Sequence, residues 1–170
     1  MSRLDWKGGG RFTIDHETDQ MHAALRGWQS EAGDEVEYYR FDREGSGMHD
    51  VYDEASGTGR VYKGPVELPV LHVTQDEGGT SDTGGGFYYN DNIYITASFE
   101  QVNRTGLTRM DIEHDRYLKD RLVYNSRVYH VVDIHIVGQV QQRDVVVSIE
   151  GSQVKPDEMV NDPQFKQWSA

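Results

Sequence analysis

The stretch from Asp120 to Val154 constrains this chain more than any other. Val128, His130, Val132, Ile134 and Ile136 share one parity, and Val145, Val147 and Ile149 share another. A period of two belongs to strands, because successive side chains leave a pleated backbone on opposite faces. Asn125-Ser126 falls between the first two arms, and asparagine tolerates the positive φ that a tight hairpin turn needs. The block predicts three closely spaced strands. Strands in that arrangement leave exposed edges unless the sheet closes on itself. The expected fold is therefore mainly β, a small β-barrel with long loops, a short N-terminal helix and an extended C-terminal arm.

Other segments fit that plan. Glu35 to Phe41 reads as a first strand. Val66, Leu68, Val70 and His72 alternate within Arg60 to Val73. Pro65 and Pro69 lack ladder donors, so this strand belongs at a sheet edge or carries a bulge. Ile93, Ile95, Ala97 and Phe99 give another strand one apolar face. Leu107 to Leu118 is polar and reads as a short helix or irregular segment. Gln75 to Gly86 holds five glycines, three acids and no apolar residue, which predicts a long flexible loop.

The layout expected is an N-terminal extension over residues 1–30, a β-barrel over 31–154 and an arm over 155–170. Asp15 to Gln29 reads as a helix, with Met21, Ala24, Leu25 and Trp28 at i, i+3, i+4 and i+7 on one face. Gly33 lies just past its end. That stripe either packs on the parent barrel or is offered to a neighbouring subunit. Phe165 and Trp168 stand i and i+3 among polar residues of the arm. They either grip another chain or fold back.

Charge narrows the function classes. The chain has 29 acids against 17 Lys and Arg, a net −12. A tight duplex-DNA binder normally carries a basic face. Between Glu31 and Glu54, nine acids face only Arg40 and Arg43. Without cysteine, disulfide scaffolds, thiolate metal sites and a thiol nucleophile are excluded. No apolar run is long enough for a membrane span or a signal-peptide core, so the chain is expected in the cytosol of the expressing cell, without a membrane partner.

Catalytic signatures are missing: no phosphate-binding G-x-x-x-x-G-K-[ST], no dinucleotide glycine fingerprint, no G-x-S-x-G elbow. His49, Asp50, Asp53 and Glu54 offer oxygen and imidazole ligands, but their spacing matches no calcium loop. A metal-assisted hydrolase using His49, Asp50 and Glu54 is the alternative from another function class. Asp111, Glu113, His114 and Asp115 sit beside Arg109, Arg116 and Lys119, which predicts surface ion pairs. His130 and His135 have opposite parity, and His130 reads as a hydrogen-bonded core residue. No cofactor, resident metal or catalytic residue is expected.

Two stretches carry a family resemblance. The first runs from Glu37-Tyr38-Tyr39-Arg40-Phe41-Asp42 through Asp50-Val51-Tyr52-Asp53-Glu54 to Gly59-Arg60-Val61-Tyr62-Lys63-Gly64-Pro65-Val66-Glu67-Leu68-Pro69-Val70. The second runs from Asp120-Arg121-Leu122-Val123-Tyr124-Asn125-Ser126-Arg127-Val128-Tyr129-His130-Val131 to Arg143-Asp144-Val145-Val146-Val147-Ser148-Ile149-Glu150-Gly151. Together they resemble the head-to-tail stopper (head-completion) proteins of long-tailed bacteriophages, particularly those infecting actinobacteria. The similarity spans roughly residues 30–155.

The resemblance implies a virion protein of the neck, assembled in the host cytoplasm. It implies a ring of identical subunits, with portal and adaptor on the head side and tail terminator or tail tube on the other. Loops of such rings project into the channel and retain packaged DNA. Adaptors and tail terminators of the same neck are the nearest alternatives. Candidate channel-facing loops are Asp42–Thr58, with Asp42, Glu44 and Asp50, and Gln75–Gly86, with Asp76, Glu77 and Asp82. Met21, Leu25, Trp28, Phe165 and Trp168 are the candidate subunit or partner contacts. Acidic loops repeated around a ring would repel phosphates, keeping DNA mobile without sequence-specific binding.

Overall fold

The structure is a computed structural model that describes residues 14–47, 59–78, 80–83, 86–89, 91–140, 142–159 and 162–168. Helix α1 (Ile14–Ala32) is followed by β1 (Asp34–Phe41), β2 (Tyr62–Val70), β3 (His72–Asp76), β4 (Thr80–Thr83), β5 (Gly86–Tyr89) and β6 (Asn92–Ser98). Helices α2 (Phe99–Arg104) and α3 (Arg109–Glu113) lead to β7 (Arg121–Tyr124), β8 (Arg127–Val140) and β9 (Arg143–Gln153). A short α4 (Pro156–Met159) and a 3-10 turn (Pro163–Trp168) end the described chain.

Seven strands form one antiparallel sheet in the order β2-β1-β7-β8-β9-β6-β3, and β4 pairs with β5 alone. The protein is mainly β, as its alternation predicts. The turn between β7 and β8 has positive φ at both Asn125 (49°) and Ser126 (61°), which matches the right-handed twist of the flanking strands.

The sheet does not close into a barrel, contrary to expectation. Its two edges, β2 and β3, are consecutive lengths of one chain separated only by Leu71. Segments so joined cannot turn back to pair with each other. Leu71 N–H instead donates to Thr96 O at 2.8 Å, tying the corner to β6. Pro65 and Pro69 lie on β2, the edge position their missing donors require. Gly64 has φ 133°, and a Cβ there would meet Tyr38 O at 2.8 Å, so only glycine fits this bend.

The inner face of the sheet holds the main core. Val36, Tyr38, Leu68, Val70, Ile93, Ile95, Leu122, Tyr129, Val147 and Ile149 are buried there, and Val102, Leu107, Ile112 and Tyr117 from the α2–α3 region join them. β8 departs from a single continuous parity. Val131 faces Gly151 and Asp133 faces Glu150, so Val132 is an extra residue. This bulge switches the inward set from Tyr129 and Val131 to Ile134 and Ile136, and Val132 is left exposed. The sequence alternation runs straight through, so the switch is set by the partner strand.

A second cluster covers the outer face of β1, β2, β7 and β8. Tyr39, Tyr62, Val123 and Val128 pack there against Val154, Met159 and Phe165. The C-terminal segment thus belongs to the fold as a covering layer.

Candidate functional site

Helix α1 outruns its expected limits but keeps its stripe. Met21 is 44% and Trp28 60% exposed, Leu25 is half-buried and Ala24 is exposed. The helix is held at its polar side: Arg26 Nη1 meets Glu100 Oε2 at 2.7 Å, and Arg143 pairs with Asp15. At its end Gly33 N–H donates to Gln29 O at 3.0 Å, and a Cβ on Gly33 would fall 2.7 Å from Val70 O. Glycine here lets the helix leave directly into β1.

The tail aromatics take the opposite place. Phe165 is completely buried, 4.9 Å from the Tyr39 ring and 5.1 Å from the Tyr62 ring, both edge-on. Trp168 packs on Tyr39 and Phe165 and is only partly exposed. The expectation that this pair stands exposed to grip another chain is therefore corrected: β1 and β2 carry outward aromatics that need covering, and the tail covers them.

The acidic loops are more structured than their composition suggests. Asp42 and the following turn are stapled by Ser46, fully buried, whose Oγ donates to Asp42 O at 2.6 Å and accepts from Val61 N–H at 2.9 Å. The Gly45 N–H, with help from Lys63 Nζ at 3.3 Å, holds the Asp42 carboxyl below its usual value. Glu44 is exposed; Asp50, like His49, Asp53 and Glu54, lies outside the described residues. Gln75–Gly86 is not one long loop. Asp76 pairs with Asn92 at the end of β3, Glu77 follows it exposed, and Asp82 faces Phe87 in the β4–β5 hairpin. Threonines and the aromatic run Phe87-Tyr88-Tyr89 supply strand propensity that a count of glycines and acids overlooks.

The acidic cluster around α3 is spent on structure. Thr108 caps α3 through a capping box with Asp111. Burial works to raise the Asp111 carboxyl, but the Thr108 hydrogen bonds and the Arg40 and Arg116 guanidiniums keep it below the ordinary value. Arg109 bridges Glu113 at 2.9 Å and Asp144 at 3.2 Å. No group of three histidines or acids that could hold a metal occurs among the described residues. The Val132 bulge also puts His130 and His135 on the same, outer side of β8, correcting their opposite parity. His135 pairs with Asp133 at 3.0 Å. His130 is half-buried and its Nδ1 has no hydrogen-bond partner, so it is not the satisfied core histidine expected.

Two buried polar arrangements were not signalled by any motif. Asp120 accepts from Tyr38 Oη at 2.6 Å and from Phe41 N–H at 2.8 Å under the inner face. Burial pushes its carboxyl up to about 6. Burial and the adjacent Asp120 push the Tyr38 hydroxyl well above its ordinary value. On the outer side, Phe41, Arg60, Tyr62, Lys119, Arg121 and His130 line a notch of about 300 Å³. Burial and then Arg121 pull His130 below the ordinary imidazole value. Only the pairing of β1 with β7 brings residues 41 and 121 to one end of the sheet, so no local pattern could reveal the notch.

No protein-family model matches the chain, and no curated protein is significantly similar to it. Among solved structures, a chain from the "Virion of native gene transfer agent (GTA) particle" is similar over 71% of this chain and 94% of its own, with TM-score 0.40 and 12% identity. So loose a likeness assigns no function.

Proposed function

We propose that the chain is a structural protein of a phage virion, placed in the head-to-tail connector as a stopper ring. The observation that carries this reading is where the two resembling stretches lie. They form β1, β2, β7, β8 and β9, five adjacent strands of one sheet. The resemblance therefore maps onto a contiguous half of the fold instead of scattered segments. A mainly β chain also fits a stopper better than an adaptor, whose role in the neck goes with a mainly helical fold.

In this reading the subunits contact each other heterologously and close by rotation around the channel. The exposed stripe of α1, with Met21 and Trp28, is available for such a contact. The exposed Glu44, Asp76 and Glu77 are the described acids suited to a channel wall that repels phosphate. The protein works by assembly and carries no catalytic step.

Electron microscopy of purified virions tests this. A ring of this chain between portal complex and tail is expected, and particles lacking it should lose packaged DNA. Its absence from the neck would overturn the reading. Its presence on free tails without heads would move it to the terminator position.

A further inference from the structure

Cations gather at one end of β1, around the notch beside Phe41. Arg60, Lys119 and Arg121 line it, with Glu158 the acid among its lining residues. The Arg121 side chain is only 6% exposed. Its Nη2 lies 3.5 Å from Asp162 Oδ2, while its Nε has no hydrogen-bond partner. Arg60 reaches the same Asp162 oxygen at 3.9 Å. One buried carboxylate thus serves two guanidiniums, and the notch keeps surplus positive charge in a chain of net −12.

The opposite end of β1 has the opposite sign. Glu31, Asp34 and Glu35 are exposed there, and no basic residue occupies the last turn of α1 to offset its carbonyl end. Asp34 and Phe41 are seven residues apart on one strand, or about 23 Å at the usual rise. The molecule is therefore polar along β1, with an acidic end and a basic notch.

We propose that the notch receives the acidic Glu31–Glu35 end of a second copy of this chain. Such a contact uses different patches on the two partners, so it repeats head to tail and closes into a ring when the rotation allows. Complementary charge within one molecule favours a second copy over nucleic acid, because a phosphate backbone entering the notch would also meet the acidic surface around it. The inference deepens the stopper reading and rests on it only for closure of the ring.

Sedimentation equilibrium of the full chain at millimolar concentration and low ionic strength tests the contact. Self-association that weakens as salt rises is expected. Lys119→Glu and Glu35→Lys should each weaken it about tenfold, and the double variant should recover most of that loss. Arg60→Gln, away from the packing of Lys119 on Phe41, is the second probe and should weaken association with an unchanged melting temperature. A chain that stays monomeric under these conditions overturns the proposal, as do single variants that associate like the parent. Retention of a duplex oligonucleotide that depends on Lys119 would put phosphate in the notch and overturn it too. Charge-paired association in a chain absent from the neck would remove the stopper reading but keep this contact; a neck ring indifferent to these charges would do the reverse.

Discussion

The two terminal segments carry the same sequence signature and meet opposite fates. Each sets bulky apolar residues at helical spacing among polar ones. In the tail, Phe165 is wholly buried between Tyr39 and Tyr62; in α1, Trp28 remains 60% exposed. The difference lies in the receiving surface. The outer face of β1, β2, β7 and β8 presents Tyr39, Tyr62, Val123 and Val128, and burying them with the tail removes apolar area from water. Helix α1 is held by ion pairs through Arg26 and Asp15 while its stripe faces outward. An amphipathic segment states that it needs a partner; it does not state whether that partner is in its own chain.

The largest test of this contrast is Phe165→Ala. Emptying a completely buried aromatic site should cost about 3–5 kcal/mol, read as a lower denaturation midpoint. Trp28→Ala should leave the isolated chain within about 0.5 kcal/mol of the parent while weakening ring assembly. Equal losses at both positions would abolish the distinction.

The half of the sheet clad by the tail also holds Asp120, whose carboxyl pKa is raised to about 6 in the fold from an ordinary 3.8. The folded state thus binds a proton more tightly than the unfolded one. Its contribution to stability is fully present below about pH 4 and is lost as pH rises through 6, by about 3 kcal/mol. Asp120→Asn should flatten that dependence, and urea melts between pH 4 and 7 would show it. A parent chain with no loss of stability across this window would mean that Asp120 titrates normally.

The smallest effect is expected at the α1 attachment. Arg26 and Glu100 are 47% and 31% exposed, so Arg26→Ala should cost only about 0.5 kcal/mol, and less in high salt. A cost above that of Phe165→Ala would show α1 to be as firmly integrated as the tail.

Much of the fold was legible. Strict alternation identified β6 and β9, Asn125-Ser126 located a hairpin, and Pro65 and Pro69 placed β2 at an edge. The channel-facing and contact residues were less so. Asp76 and Asp82 read as loop because their neighbours are glycine-rich, yet both pair in ladders. Phe165 read as exposed because its own neighbours are polar, whereas its partners lie more than a hundred residues away.

By itself the sequence determined the mainly β character, the helix and the turns, since these depend on backbone preferences and periodicities acting over a few residues. Tertiary structure alone decided the open edge between β2 and β3, the Val132 bulge, the fate of Phe165 and the meeting of Arg60, Lys119 and Arg121. Each depends on which distant strand lies alongside, and burial and charge act through space without regard to separation along the chain.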